Sequence, residues 1–421
     1  MTIAQYSKNR ASVLGTNLLV IGFIVSMAFP YVQFLPLDGY NQPYYLVIGF
    51  FVAGKLGYSS RKTMPLKDFF AMLWLAGLGV LLFVITCFPY DNAQEYKYLA
   101  NYLTPVVLTV ACFTTLQHFR NLTIKALEGS VLVWFSVAII QTTIDPTFMT
   151  WVIGSWSESA LDVVESGRGV LGLAPEPTHH GLHILLLGAC LTLIEGKRWL
   201  YILCIFEAVL LARSSSSILA LGVGFGLLSL AQPRRITLLT FTMIVGLLLI
   251  SGISESLPKD IRLIQLISQF FESPLDFMMI DYSVNVRLGG LYATFSYVLD
   301  HFFVPQGLSH EHWLSLKQEF LERNEWLLDV SDNGPPSGIG VLLLQAGLLV
   351  VPFFLISFAT ILQAPSNGYL GKWLIVVGLV IFLGQFYISS PMYSLIYGCA
   401  IHATLRKSCH VKRSILANPV L

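Results

Sequence analysis

Between residues 168 and 181 the chain reads Arg-Gly-Val-Leu-Gly-Leu-Ala-Pro-Glu-Pro-Thr-His-His-Gly, with long apolar runs on either side. The stretch supplies a guanidinium, a carboxylate bracketed by prolines and two adjacent imidazoles. Irregular, polar backbone at membrane depth survives only inside protein or beside a water-filled cavity. A cavity holding such groups is built to handle something, so these residues are read as half of an active site. Arg168 keeps its charge when buried and offers a planar fork to phosphate or carboxylate. Glu176, stiffened by Pro175 and Pro177, has a fixed direction. It is a candidate general base toward a hydroxyl, or an acid that balances a helix macrodipole. His179 and His180 open the following apolar run, with His183 one turn beyond. An i, i+3 histidine pair can bind metal, but no third ligand has a matching spacing, and packing or hydrogen bonding is the simpler role.

The second half of the site is sought in Tyr-Ser-Val-Asn-Val-Arg-Leu-Gly-Gly-Leu-Tyr-Ala, residues 282–293. There Arg287 sits in an apolar helix, beside glycines that permit close approach. Two such arginines could clamp a pyrophosphate; the alternative is pairing with loop carboxylates or lipid headgroups. Arg213 with Ser214, Ser215, Ser216 and Ser217 opens a span, where serines cap helices and hydrogen-bond headgroups or sugar hydroxyls. No Gly-x-Ser-x-Gly or Ser-x-x-Lys accompanies them, so a serine nucleophile is not expected. Asp329 and Asp332 could orient a hydroxyl or simply form a solvated turn. Glu207, inside an apolar run, must face protein or water.

The elements that hold these residues are apolar throughout. Of 421 residues 55% are hydrophobic and 12% charged, and the mean hydropathy is +0.69. That balance excludes an ordinary soluble domain. The net charge of +1 gives no reason to expect nucleic acid. The expected fold is an all-α polytopic membrane protein of about twelve transmembrane helices. Their limits are 12–34, 42–57, 68–89, 98–117, 131–151, 179–195, 199–212, 216–232, 236–252, 337–362, 372–387 and 389–405. Lys8 and Arg10 precede the first run, which is too long for a cleaved signal and reads as a first span. Most of the 25 lysines and arginines then fall on one side. They include Lys55, Arg61, Lys62, Lys67, Arg120, Lys125, Lys197, Arg198, Arg234, Arg235, Lys372 and Arg406, which puts both termini in the cytoplasm.

The whole chain, 1–421, reads as a single membrane domain. Residues 253–336 form one large outer segment between the ninth and tenth spans, with helices expected near 261–271, 282–303 and 311–327. The six cysteines lie in spans or on the cytoplasmic side, with no Cys-x-x-Cys spacing.

In its ordered pieces the chain resembles the O-antigen polymerase/ligase superfamily of bacterial inner membranes. The pieces are Arg168 with Gly172-Leu173-x-x-Glu176-Pro177-Thr178; the Ser214–Ser217 cluster; Arg287 followed by Pro305-Gln306-Gly307; and Gln345-Ala346-Gly347-Leu348 after the large loop. They cover about residues 160 to 350. The resemblance implies a GT-C-like helical fold with a large periplasmic loop. It also implies metal-independent glycosyl transfer on the periplasmic face, without nucleotide sugar or cofactor. The donor would be an undecaprenyl-pyrophosphate-linked oligosaccharide, and a chain-length regulator would be a further partner. Arg168 and Arg287 would hold the departing pyrophosphate, with Arg213, Ser214, Ser215 and His179 as further substrate contacts.

Ligases of the superfamily place a His-Asn pair late in the loop. Here that place reads Asp332-Asn333, which argues for a repeat-unit polymerase making O-antigen, capsule or exopolysaccharide. It also leaves the base open among Glu176, Asp332 and His180. A ligase acting on lipid A-core or protein is the second reading. A transporter or flippase is the third, although polar residues gather on one side of the membrane and not at its midplane.

Overall fold

A computed structural model describes residues 3–33, 42–57, 63–88, 90, 92–153, 160–165, 168–231, 273, 285, 289–328, 337–384 and 386–417. Every regular element among them is helical. In order they are α1 (Ile3–Ala28), α2 (Tyr44–Gly57), α3 (Leu66–Thr86), α4 (Ala93–Thr143), α5 (Ala160–Glu165), α6 (Pro177–Leu193) and α7 (Arg198–Phe206). The last of these runs on into a π-helical turn, Glu207–Leu211. Then come α8 (Ser215–Leu230), α9 (Gly290–Asp300), α10 (His310–Arg323), α11 (Gly338–Ala346), α12 (Val351–Gln363), α13 (Gly368–Gly384) and α14 (Pro391–Ala417). Three stretches are long and apolar enough to cross a membrane: Leu66–Thr86, Ala93–Thr143 and Gly338–Gln363. Along α3 a flank of Phe69, Phe70, Leu73, Trp74, Leu81 and Ile85 is exposed, consistent with a helical membrane protein whose outer face meets lipid. The expected span 236–252 and the expected helix near 261–271 lie outside the described residues.

The 51-residue α4 departs from expectation. The charges of Arg120 and Lys125 suggest a loop between spans 98–117 and 131–151, yet the chain there stays helical on both sides of a kink at Phe119 (φ −133°, ψ 35°). Cys112, before the kink, lies 3.5 Å from Met27 through their sulfurs. Trp134, after it, donates its indole N–H to the carbonyl of the next residue, Ala28, at 3.0 Å. A straight helix would hold positions 112 and 134 about 33 Å apart, so the kink folds α4 back on itself. Beyond Thr143 an Asp145 turn, with Oδ1 accepting from the Thr147 backbone and hydroxyl at 2.9 and 2.7 Å, stops the helix before the expected end at 151.

The expected span 337–362 is also broken, at Gly347. Residues 303–307 cross the end of α11: Gln306 N–H donates to Leu344 O (3.1 Å), Gly307 N–H to Gln345 O (3.0 Å) and Leu348 N–H to Phe303 O (3.3 Å). The first two satisfy carbonyls that the end of α11 leaves open. Gly347 adopts φ +57°, and a Cβ there would fall 2.0 Å from Phe303 O, so only glycine fits. The two short motifs at 305–307 and 345–348 thus meet in space.

At the centre stands α6, buried along nearly its whole length and packed on α4, α7, α13 and α14. A buried carboxylate that the sequence reading did not single out, Asp68, accepts from Thr360 Oγ1 (2.7 Å) and Tyr397 OH (2.9 Å), tying α3 to α12 and α14. Between residues 289 and 328, α9 and α10 have a small core of their own, with Tyr297 stacked on Phe320 at 4.9 Å. That unit sits on α3 and α4 through Leu308 N–H to Thr86 Oγ1 (2.9 Å), His310 N–H to Glu95 Oε1 (3.3 Å) and Tyr98 OH with His310 Nδ1 (2.9 Å).

Candidate functional site

Proline at the first helical position fixes where α6 begins, since its missing N–H is one the helix leaves unused. Glu176 is therefore the N-cap residue, in extended backbone, but its carboxylate makes no capping hydrogen bond. It turns instead to His179, whose Nε2 lies 3.0 Å from Oε1, and to Arg168, whose Nη2 lies 3.9 Å from Oε2. The three side chains are 25%, 21% and 30% exposed for Arg168, Glu176 and His179, so each is partly sheltered. Tyr31 and Phe386 flank the His179 ring, with centroids at 5.8 and 5.7 Å. A negative group at a helix N-terminus is favoured by the macrodipole, and here the same carboxylate carries a guanidinium and an imidazole as neighbours.

Beneath the cluster lies a fully buried pair. His180 Nε2 is 2.9 Å from Glu207 Oε1, and neither side chain has exposed surface. His180 Nδ1 lies 3.1 Å from Val170 O; a carbonyl only accepts, so this nitrogen carries the hydrogen. The ring stacks on Trp134 (5.4 Å, 22°). One turn on, His183 donates Nε2–H to Ala28 O at 2.8 Å, the same carbonyl that Trp134 caps. Gln141 completes the frame. Its amide accepts Gly172 N–H at 2.7 Å and donates to the carbonyls of Gly172 and Phe148 at 2.9 and 2.8 Å.

The serine run has a mainly structural place. Ser214 is buried and caps α8 by accepting Ser217 N–H at 3.2 Å. A Cβ on Gly181 would come within 2.4 Å of Ser217 Oγ and 3.1 Å of Ser214 Cβ, so small residues let the N-termini of α6 and α8 approach closely. Ser215 is half-buried. Arg213 is exposed, at φ +46°, with its Nε 3.4 Å from Leu210 O; its charge points to solvent at the same end of the bundle.

The structure thus brings Arg168, Glu176, His179 and His180 together, with Ser214 and Arg213 one helix away. His180 has both ring nitrogens engaged and no accessible surface. Arg287, Asp329, Asp332 and Asn333 lie outside the described residues. Sequence reasoning passed over Tyr31, Trp134, Gln141 and Phe386. Of these only Gln141, an amide within an apolar helix, carried a usable signal. A separate shallow recess, lined by Tyr98, Gln306, Ser309, His312, Trp313 and Gln345, shares no residue with the cluster. Among the described residues no three His, Cys, Asp or Glu side chains converge as a metal site.

Fold and site together define a helical protein with membrane-length apolar helices and a guanidinium–carboxylate–imidazole cluster at one end of its bundle. No protein-family model matches the chain, and no curated protein matches it in sequence.

Proposed function

We propose that the protein is a multi-pass glycosyltransferase of the bacterial inner membrane, with about twelve spans and both termini in the cytoplasm. It polymerises undecaprenyl-pyrophosphate-linked oligosaccharide units on the periplasmic face. The observation that carries this reading is the meeting of Arg168, Glu176 and His179 at the partly open N-terminus of α6. In the reaction an acceptor sugar hydroxyl attacks the anomeric carbon of the donor glycan. The new C–O bond forms as the bond from that carbon to the phosphate oxygen breaks, and undecaprenyl pyrophosphate departs with the electron pair. Glu176 takes the hydroxyl proton, its carboxylate aimed by His179. Arg168 meets the charge developing on the leaving pyrophosphate, where a fixed cation acts most strongly, and Arg287 is assigned as the second guanidinium.

Arg168→Ala and Glu176→Gln test this in cells, with surface glycan and lipid-linked intermediates read on gels. Each is expected to lower polymerisation by about 10²–10³-fold, the cost of removing one charge-stabilising group at Arg168 or one proton-transfer group at Glu176, and to leave single repeat units on the carrier while the protein stays in the membrane. Normal long chains from either variant would overturn the assignment. Long chains stranded on undecaprenyl pyrophosphate would point instead to a ligase.

A further inference from the structure

The segment that carries Arg168 has no helix or strand of its own to hold it. Val170 and Gly172 anchor its backbone to other elements. Val170 N–H donates to Leu211 O (3.0 Å) and Val170 O accepts from His180 Nδ1 (3.1 Å). Gly172 exchanges two bonds with the Gln141 amide. The fit is close as well: a Cβ on Gly169 would meet the Ala212 backbone at 2.2 Å, and one on Gly172, at φ +60°, would meet the His180 ring at 2.9 Å. The imidazole is therefore the plate on which the segment lies.

Two of those supports come from one irregular turn. In the π-helical stretch Ala212 N–H reaches back five residues to Glu207 O at 2.9 Å. The turn's first residue, Glu207, holds His180 through its side chain, and its last, Leu211, accepts Val170 N–H through its carbonyl. Such turns are costly and tend to survive where they place a group that a regular helix cannot.

We infer that His180, keyed by Glu207 across the π-helical turn, is a positioning residue that sets where the Arg168 guanidinium stands. The hydrogen bonds say how. Nδ1–H is committed to Val170 O, so Nε2 faces the carboxyl with one hydrogen between them, as imidazolium with carboxylate or as imidazole with carboxylic acid. A glutamine at 207 can donate to the same Nε2 and keep the ring's orientation. A leucine cannot, and leaves a buried nitrogen unpaired. At 180 the two amides separate the two contacts: asparagine places its N–H where Nδ1 was and keeps Val170 O, whereas glutamine reaches for Glu207 and releases it.

The test reads geometry first. Full-length Arg168→Cys protein, with Cys409→Ser, is purified in detergent and labelled with a charged maleimide; Cys87, Cys112, Cys190, Cys204 and Cys399 are buried. Adding His180→Gln or Glu207→Leu is expected to raise the labelling rate about tenfold, as loss of a buried hydrogen bond frees the segment. Adding His180→Asn or Glu207→Gln is expected to leave it unchanged. Equal rates for His180→Asn and His180→Gln, in protein that remains monodisperse, would overturn the inference. The effect on product rests on the glycosyl-transfer reading: with Arg168 restored, the same two variants that free the segment should lose long glycan. Labelling that follows the pattern while all four variants make native chains would keep the positioning role and overturn the part given to Arg168 in that reading.

Discussion

The two ends of α6 use the same residue types in opposite ways. Past its C-terminus Glu195 pairs with Arg120 at 2.8 Å and with Arg406, and nearby Glu128 pairs with Lys197 at 3.6 Å. Glu195 and Arg406 are 51% and 41% exposed, long side chains in water that give up rotamer freedom for a screened attraction. Pairs of that kind contribute about 0–1 kcal/mol. At the N-terminus Arg168, Glu176 and His179 rest on a buried layer of His180, Glu207, Trp134 and Gln141. There the charged groups are held by buried side chains, by backbone hydrogen bonds and by glycines that admit close contact. An arginine and a glutamate thus acquire a fixed geometry from the surroundings, not from their mutual attraction.

That contrast can be broken by substitution. Glu207→Leu should have the largest effect, destabilising the protein by about 3 kcal/mol because it leaves a buried nitrogen of His180 without a partner. Glu207→Gln should recover most of that in thermal unfolding measured in detergent. Gly169→Ala comes next: the added methyl meets backbone, not a side chain that can swing away, and overpacking of that kind costs about 1–3 kcal/mol. It should also displace Arg168, so under the proposed function glycan polymerisation should fall more than stability does. Glu195→Gln is the small case, with a change in unfolding within about 1 kcal/mol that shrinks as salt is added. A loss at Glu195 as large as that at Glu207 would remove the distinction between the two ends.

Much of the candidate site was legible before any coordinates. Pro175-Glu176-Pro177 announces a stiff chain entering a helix, and polar groups standing between apolar runs need a protein interior or water. The Ser214 cap follows from serine's preference for helix N-termini. What supports these groups was not legible. Trp134 and Tyr31 are ordinary members of apolar stretches until α4 folds back and α1 ends beside α6. Glu207 was visible as an acid in the wrong place, but its partner His180 is 27 positions away and its presentation depends on a π-helical turn that no hydropathy pattern marks. Arg120 and Lys125 suggest a loop because charge interrupts a span. The stretch Leu-Thr-Ile-Lys-Ala-Leu-Glu is nevertheless sound helix former, and charged side chains at a helix surface need only solvent.

From composition and order alone this chain is committed to apolar helices, and to polar groups gathered where α6 begins. Those properties come from local solvation and backbone preference, which each short stretch carries with it. Tertiary structure decided which groups meet: the fold of α4 at Phe119, the crossing of residues 303–307 over Gly347, and the seating of His180 between Val170, Glu207 and Trp134. Each depends on contacts between residues distant in the chain, made possible by close packing and by the need of every buried polar atom for a partner.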